Sequence, residues 1–204
     1  MSRKYLGDTF DIHAGGKDLL FPHHENEVAQ SECCTGHTFA RYWMHNGFIN
    51  IDNEKMSKSA GNFFTVRDIL KEFSAEDVRF FMLSAHYRSP LNFSRDMIAQ
   101  AHASLVRLYN VRDQLLFLQG HAVDKAPSGE DAELASRLDA YIERFNAAMD
   151  DDLNTADALG VLFSLVQDIN VSVNADSALS VIVKAYETLT KLTDVLGLLM
   201  QKAE

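Results

Sequence analysis

The feature that most narrows the possible folds is an apolar stripe running through the second half of the chain at helical spacing. After Ser94, the residues Ile98, Ala101, Leu105, Leu108, Val111, Leu115 and Leu118 recur at steps of three and four. That spacing paints one face of a helix, and Ser94 is suited to cap its start. Pro127-Ser128-Gly129 punctuates the chain, after which Leu134, Leu138, Ile142, Phe145 and Met149 resume the period. Asn154 or Thr155 fits the cap of a further helix carrying Leu159, Leu162, Phe163, Val166 and Ile169. Leu179, Ile182, Tyr186, Leu189, Leu192 and Leu196 mark a last one. An amphipathic helix must bury its stripe against another element, so this succession predicts an antiparallel helical bundle over 94–204.

The earlier residues alternate between strand and helix signals. Phe10 and Ile12 alternate ahead of a glycine turn, and Phe48, Ile49 and Ile51 form a second short run before Asp52-Asn53-Glu54. Both read as strands. Between them Pro22 suits the first turn of a helix extending to about Cys33. Strand, helix, strand is an α/β fragment, expected over 1–64. Thr65 with Asp68, and Ser74 with Asp77, resemble capping boxes, although Asp is a shorter third-position partner than Glu. They predict two short helices, broken at Arg88-Ser89-Pro90, in a linking region over 65–93.

Charge is unevenly distributed. The net charge is −10 over 204 residues, which argues against nonspecific coating of nucleic acid. Yet residues 55–112 carry 9 basic and 5 acidic side chains, whereas 113–204 carry 6 and 16. A local basic stretch in an acidic chain still steers an anionic ligand, with Lys71, Arg79, Arg88, Arg95 and Arg107 as candidates; some of these are expected only to pair with neighbouring carboxylates. The two cysteines, Cys33 and Cys34, are adjacent, so no disulfide framework is available and a reducing cytoplasm fits. No apolar run approaches the roughly 20 residues of a membrane span.

Two constellations carry chemistry. In Phe10 through Glu27, His13 is expected at a strand end with Gly15 and Gly16 behind it, where open α/β sheets bind substrates. On a helix, His23 and Glu27 stand at i and i+4 and share a face, so they either ligate one metal or form a solvated polar helix start. The second constellation is Lys55-Met56-Ser57-Lys58-Ser59 followed by Gly61. Two ammonium groups three residues apart, with hydroxyls and a glycine, suit a mobile loop closing on a triphosphate, although Lys/Ser runs are also common in plain solvated loops.

Lys55 through Ser59 spells the full Lys-Met-Ser-Lys-Ser signature of class I aminoacyl-tRNA synthetases. The surrounding words narrow the resemblance: Asp11-Ile12-His13, Phe21 through Glu27, Tyr42-Trp43-Met44-His45, His86-Tyr87-Arg88-Ser89, Leu91-Asn92-Phe93-Ser94 and Met149-Asp150-Asp151-Asp152 all resemble the cysteinyl-tRNA synthetase family. The resemblance covers nearly the whole chain. It implies the C-terminal part of a Rossmann-like catalytic domain, a linking helical region of the stem-contact type and the helical bundle.

The resemblance also implies roles. His23 and Glu27 would hold zinc with two cysteine thiolates that lie upstream of this chain. His13 and Asp18 would lie beside the bound cysteine, and Lys58, assisted by Lys55, would act on ATP with magnesium. Zinc and thiolate chemistry would select cysteine over serine without editing. Partners implied are tRNA-Cys, cysteine, ATP and the missing N-terminal half of the catalytic domain, in the cytoplasm and away from membranes. There are departures: Ala14 replaces a usual glycine, Lys17 stands at a usually small position, and the His-x-Gly-His word that grips ATP is absent. Cys34-Thr35-Gly36-His37 fits a surface loop better than a separate metal clip. The 204 residues alone are therefore expected to be inactive. The alternatives are a non-catalytic truncated paralogue that binds tRNA or a protein, and the cysteine ligase of thiol biosynthesis.

Overall fold

The first strand, β1, spans Phe10–Gly16 and pairs in parallel with β2, Ala40–Asn46. The computed structural model of the chain describes residues 2–51, 54–55 and 65–201. A short helix α1, Ser2–Leu6, precedes β1, and α2, Glu25–Thr35, connects the two strands. This β-α-β crossover corrects two expectations. The strand after the helix is Ala40–Asn46, whose aromatic and charged residues hid its alternation, and not the run around Ile49. The glycines lie inside β1, so His13 stands mid-strand and not at its end.

A second sheet has the order β4-β3-β5. Its strands are β3, Ile49–Ile51, β4, Glu54–Lys55, and β5, Leu91–Phe93. β3 pairs antiparallel with β4 and parallel with β5. Only Ile51 and Phe93 are buried among the described positions of these strands, too few to announce β5 from sequence.

Both Thr65 and Ser74 form complete capping boxes, opening α3, Val66–Ile69, and α4, Ala75–Leu83. Asp reaches back to the cap backbone in each case, so its shorter side chain suffices. Ser94 caps α5, Arg95–His121, on which Ile98, Ala101, Leu105, Leu108, Val111, Leu115 and Leu118 are all buried. Ser128 begins α6, Gly129–Asp150, through a third capping box with Asp131. Asn154 caps α7, Thr155–Ser172, and α8 spans Leu179–Leu196. Each fully buried leucine in this set contributes about 1.5–3 kcal/mol relative to exposure. α6 packs on both α7 and α8, and α5 packs on α4 and α8. Because only residues 151–154 separate α6 from α7, these two run antiparallel.

The exit from α8 is fixed by polar contacts. Buried Glu76 accepts from the Tyr109 hydroxyl at 2.6 Å and from the Leu199 backbone N–H at 2.5 Å. Gln201 N–H donates to the Tyr109 oxygen at 3.1 Å, and the Arg112 guanidinium donates to the Gln201 carbonyl. Gly197 adopts φ +64°, and a side chain there would collide with Arg79.

Contacts divide the chain into two units, one of Met1–Phe63 with Tyr87–Phe93, the other of Phe64–His86 with Ser94–Glu204. No helix of the described residues is long and apolar enough to cross a membrane.

Candidate active site

Register and alternation build the site. His13 pairs with Trp43 and Gly15 with His45, and alternate residues of a strand share a face, so these four positions lie on one side of the β1–β2 pair. Ile12 and Tyr42, on the other side, are exposed. Along the first face runs the segment leading into α2, a helical turn at Lys17–Leu19 followed by Leu20–His24, with Phe21 extended at φ −135° and ψ 134°. The break falls at Phe21, so Pro22 opens the helical run that continues into α2, as its missing N–H suits, and this entry delivers His24 to the sheet.

His24 is 3% exposed, and its Nδ1 lies 2.9 Å from His45 Nε2. Its ring centroid stands 5.0 Å from that of His13 and 5.1 Å from Trp43. Trp43 and His45 stack with 7° between their planes. Gly15 makes room for this arrangement, because a Cβ there would sit 2.9 Å from His24 Cε1. A Cβ on Gly16 would likewise meet the Asp18 carboxylate.

Glu27, on α2, divides its carboxylate. Oε2 lies 2.8 Å from His13 Nε2, and Oε1 lies 3.7 Å from His23 Nε2. Burial lowers the His24 pKa below its ordinary value, and the facing His13 and His45 rings lower it further against the opposing pull of Glu27. Neutral imidazole is the form that accepts a hydrogen bond or ligates a metal. His13, His24 and Glu27 offer ligand atoms that all lie within 4.8 Å of one another, a nitrogen and oxygen set compatible with zinc.

The predicted residues are distributed unevenly. His13 and Glu27 meet, while His23 is mostly exposed at the edge of the pair. Asp18 is exposed in the turn after β1. Lys55 ends β4, and Met56, Ser57, Lys58 and Ser59 lie outside the described residues. Cys33 and Cys34 are exposed in the last turn of α2, not in a loop, with Gly36 closing the helix at φ +73°. Sequence reasoning missed His24, His45 and Trp43. Reading Tyr42-Trp43-Met44-His45 as an alternating strand would have placed the last two on one face.

Lys71 and Arg95, two of the basic candidates, are engaged by carboxylates: Lys71 with Asp68 at 2.8 Å and Arg95 bidentately with Glu72. Arg107 lies over the Phe163 ring, 5.0 Å from its centroid.

The family described as tRNA synthetases class I (C) catalytic domain matches residues 1–103, which carry this histidine face and the lysine signature. The chain belongs to the cysteinyl-tRNA synthetase family. A DALR domain match follows over residues 144–201, in the helical unit. Cysteine–tRNA ligase of Clostridioides difficile is 54% identical over 204 residues, covering 100% of this chain and 44% of that protein. Cysteine–tRNA ligase of Lachnoclostridium phytofermentans is 52% identical over 210 residues, covering 99% and 44%. This synthetase-family chain thus spans less than half the length of the relatives it matches. Among solved structures, Mycobacterium tuberculosis methionyl-tRNA synthetase bound by methionyl-adenylate superposes with TM-score 0.73 at 19% identity, over 95% of this chain and 42% of that one. The Agrobacterium radiobacter K84 LeuRS in a ternary complex with tRNA and LeuAMS gives TM-score 0.73 at 19% identity, over 89% and 25%. These two likenesses show the class I fold shared by the cysteinyl family.

Proposed function

We propose that the chain supplies part of the machinery that activates cysteine with ATP and joins it to tRNA-Cys. The observation that carries this reading is the convergence of His13, His24 and Glu27 on one face of β1–β2, in a chain that also bears Lys55-Met56-Ser57-Lys58-Ser59. Glu27 would be the central metal donor, flanked by His13 and His24 or, with a small swing, by His23. Zinc held there would provide a soft Lewis acid that prefers a thiolate to a hydroxyl.

The chain's own residues do the rest. Glu27 fixes His13 by accepting its Nε2–H, and His45 fixes the ring of His24, so both imidazoles are oriented before a substrate arrives. Asp18 stands in the turn beside Gly16, within the segment that would face a substrate ammonium group. Lys58, with Lys55, would neutralise charge developing on the departing pyrophosphate of magnesium-bound ATP. The exposed bases Arg79 and Arg107 are the candidates for phosphate contact, since Lys71 and Arg95 are engaged by carboxylates.

Cysteine-dependent exchange of pyrophosphate into ATP tests the reading. The 204 residues alone are expected to show none, and supplying the part of the longer relatives that this chain does not span is expected to restore it. In the restored system Lys58→Ala should lower exchange by about 10²–10³. Restored exchange with serine as readily as with cysteine would sink the proposal.

A further inference from the structure

α5 carries a second row of residues that the helical unit leaves uncovered. His102, Val106, Tyr109, Asp113, Leu116 and Phe117 recur at steps of three and four, beside the stripe that α5 buries. Phe117 is 63% exposed and Val106 38%. The row lines a cavity of about 670 Å³ whose walls come from the helical unit alone, with Ser74 and Asp77 contributed by the start of α4 and Gln201 by the segment after α8. A helix with apolar residues on two adjoining faces is suited to packing on both sides, and here one side is open.

The polar groups of the cavity are fixed by the protein and keep bonding capacity in reserve. Buried Asp77 takes the Ser74 hydroxyl on Oδ2 and stands 2.9 Å from His102 Nδ1 on Oδ1, which leaves His102 Nε2 without a protein partner among the described residues. Arg112 is 6% exposed and lies over the Tyr109 ring, 4.6 Å from its centroid. Its Nε and Nη2 both donate to Asp113 Oδ1, at 2.8 and 2.6 Å, and its Nη1 donates to the Gln201 carbonyl. The guanidinium is therefore spent inside the protein. Asp113 Oδ2 has no protein partner among the described residues, one helical turn from the exposed Phe117 ring.

Charge selects the occupant. The helical unit holds 12 basic and 21 acidic side chains, a net −9 of the chain's −10. A nucleic-acid backbone, an anionic lipid surface and a second copy of the same unit would each meet net repulsion there. An apolar row with a free carboxylate oxygen beside it suits a helix that presents aliphatic anchors at i, i+3, i+4 and i+7 and lysine or arginine along their edge. We propose that this face of α5 is a docking groove for a basic amphipathic helix of a partner protein, with Val106, Leu116 and Phe117 receiving its apolar anchors and Asp113 Oδ2 one of its cationic side chains.

The test titrates the full 204-residue chain into two fluorescein-labelled peptides of about 18 residues, long enough to form a helix. Both place leucine at i, i+3, i+4 and i+7; the remaining positions are lysine in one and glutamate in the other. Fluorescence anisotropy is expected to show binding of the leucine–lysine peptide and none of the leucine–glutamate peptide. The double variant Val106→Ser, Phe117→Ser should weaken that binding at least tenfold, and Asp113→Asn severalfold. Val171→Ser, which changes a 79% exposed residue of α7, should leave it unaltered. The replaced apolar side chains are exposed, so thermal melting followed by circular dichroism should be alike in the double variant and the wild type. Equal binding of the two peptides would overturn the proposal, as would a loss in the double variant no greater than in Val171→Ser. A chain that sediments as a dimer until Val106 and Phe117 are replaced would assign the groove to a second copy and overturn it as well.

Discussion

His24 Nδ1 and His45 Nε2 lie 2.9 Å apart, so the two imidazoles share one proton: one ring donates and the other must accept. Protonating both would leave two N–H groups facing each other beside a third imidazole, His13.

A pH dependence follows, with a definite sign. Burial, then the neighbouring His13 and His45, hold the His24 pKa below the 6.5 of an unfolded histidine. Below that pH the unfolded chain takes up a proton that the native site refuses. The contribution is therefore complete above 6.5 and is lost as pH falls through the window beneath it. Trp43 is the sole tryptophan and stacks on His45, so urea unfolding followed by its fluorescence reads the effect. The midpoint should drop between pH 7.5 and 5; a flat profile would show that His24 does not govern it.

Glycines provide a second prediction, because two of them should respond in opposite directions. Gly15→Ala forces a Cβ within 2.9 Å of the buried His24 ring and should cost about 1–3 kcal/mol in the Trp43-reported transition. Gly160, inside α7, has nothing within 4 Å of a notional Cβ, and Gly160→Ala should stabilise the helical transition by about 0.5–1 kcal/mol. Equal effects from both would contradict the packing described.

Metal affinity is a third measurable quantity. His45 Nε2 lies 2.9 Å from Nδ1 of the proposed donor His24, so His45→Ala should weaken zinc binding about 10–100-fold through loss of ring orientation. Glu27→Gln, which removes the shared carboxylate, should weaken it further. Chelator competition on the chain joined to the rest of its catalytic domain gives both numbers, and an affinity untouched by Glu27→Gln would rule the carboxylate out as a ligand.

Within the helical unit, burial and then the hydrogen bond to Glu76 push the Tyr109 pKa up to about 12. The unfolded chain loses this proton near 10.0, so the native state is disfavoured as pH rises from there towards 12. Ultraviolet titration should show a late-ionising phenol that Tyr109→Phe removes, together with its share of the alkaline loss of stability. A variant whose titration matches the wild type's would refute the assignment.

The helical half was legible because periodicity and burial express the same constraint: all seven stripe residues of α5 that spacing singled out are buried. Capping boxes at Thr65 and Ser74 were equally readable, since their bonds are local. β2 escaped notice for the opposite reason. Arg41-Tyr42-Trp43-Met44-His45 mixes large polar and apolar side chains on both faces of a two-stranded sheet, so no clean alternation survives. The site was half legible. Local spacing across the entry to α2 pointed to His23 and Glu27, whereas His13 and His45 reach Glu27 and His24 only through the parallel register, which is a long-range pairing.

The division of the chain has a genetic corollary. Because the first unit owns two stretches and the second owns two, interleaved in sequence, the backbone passes between them three times. No single splice point separates the halves. A recombination event that imported another helical half would have to carry residues 64–86 together with 94 onward while sparing Tyr87–Phe93 between them. The histidine face and the helical half are thus inherited as one interleaved stretch of chain.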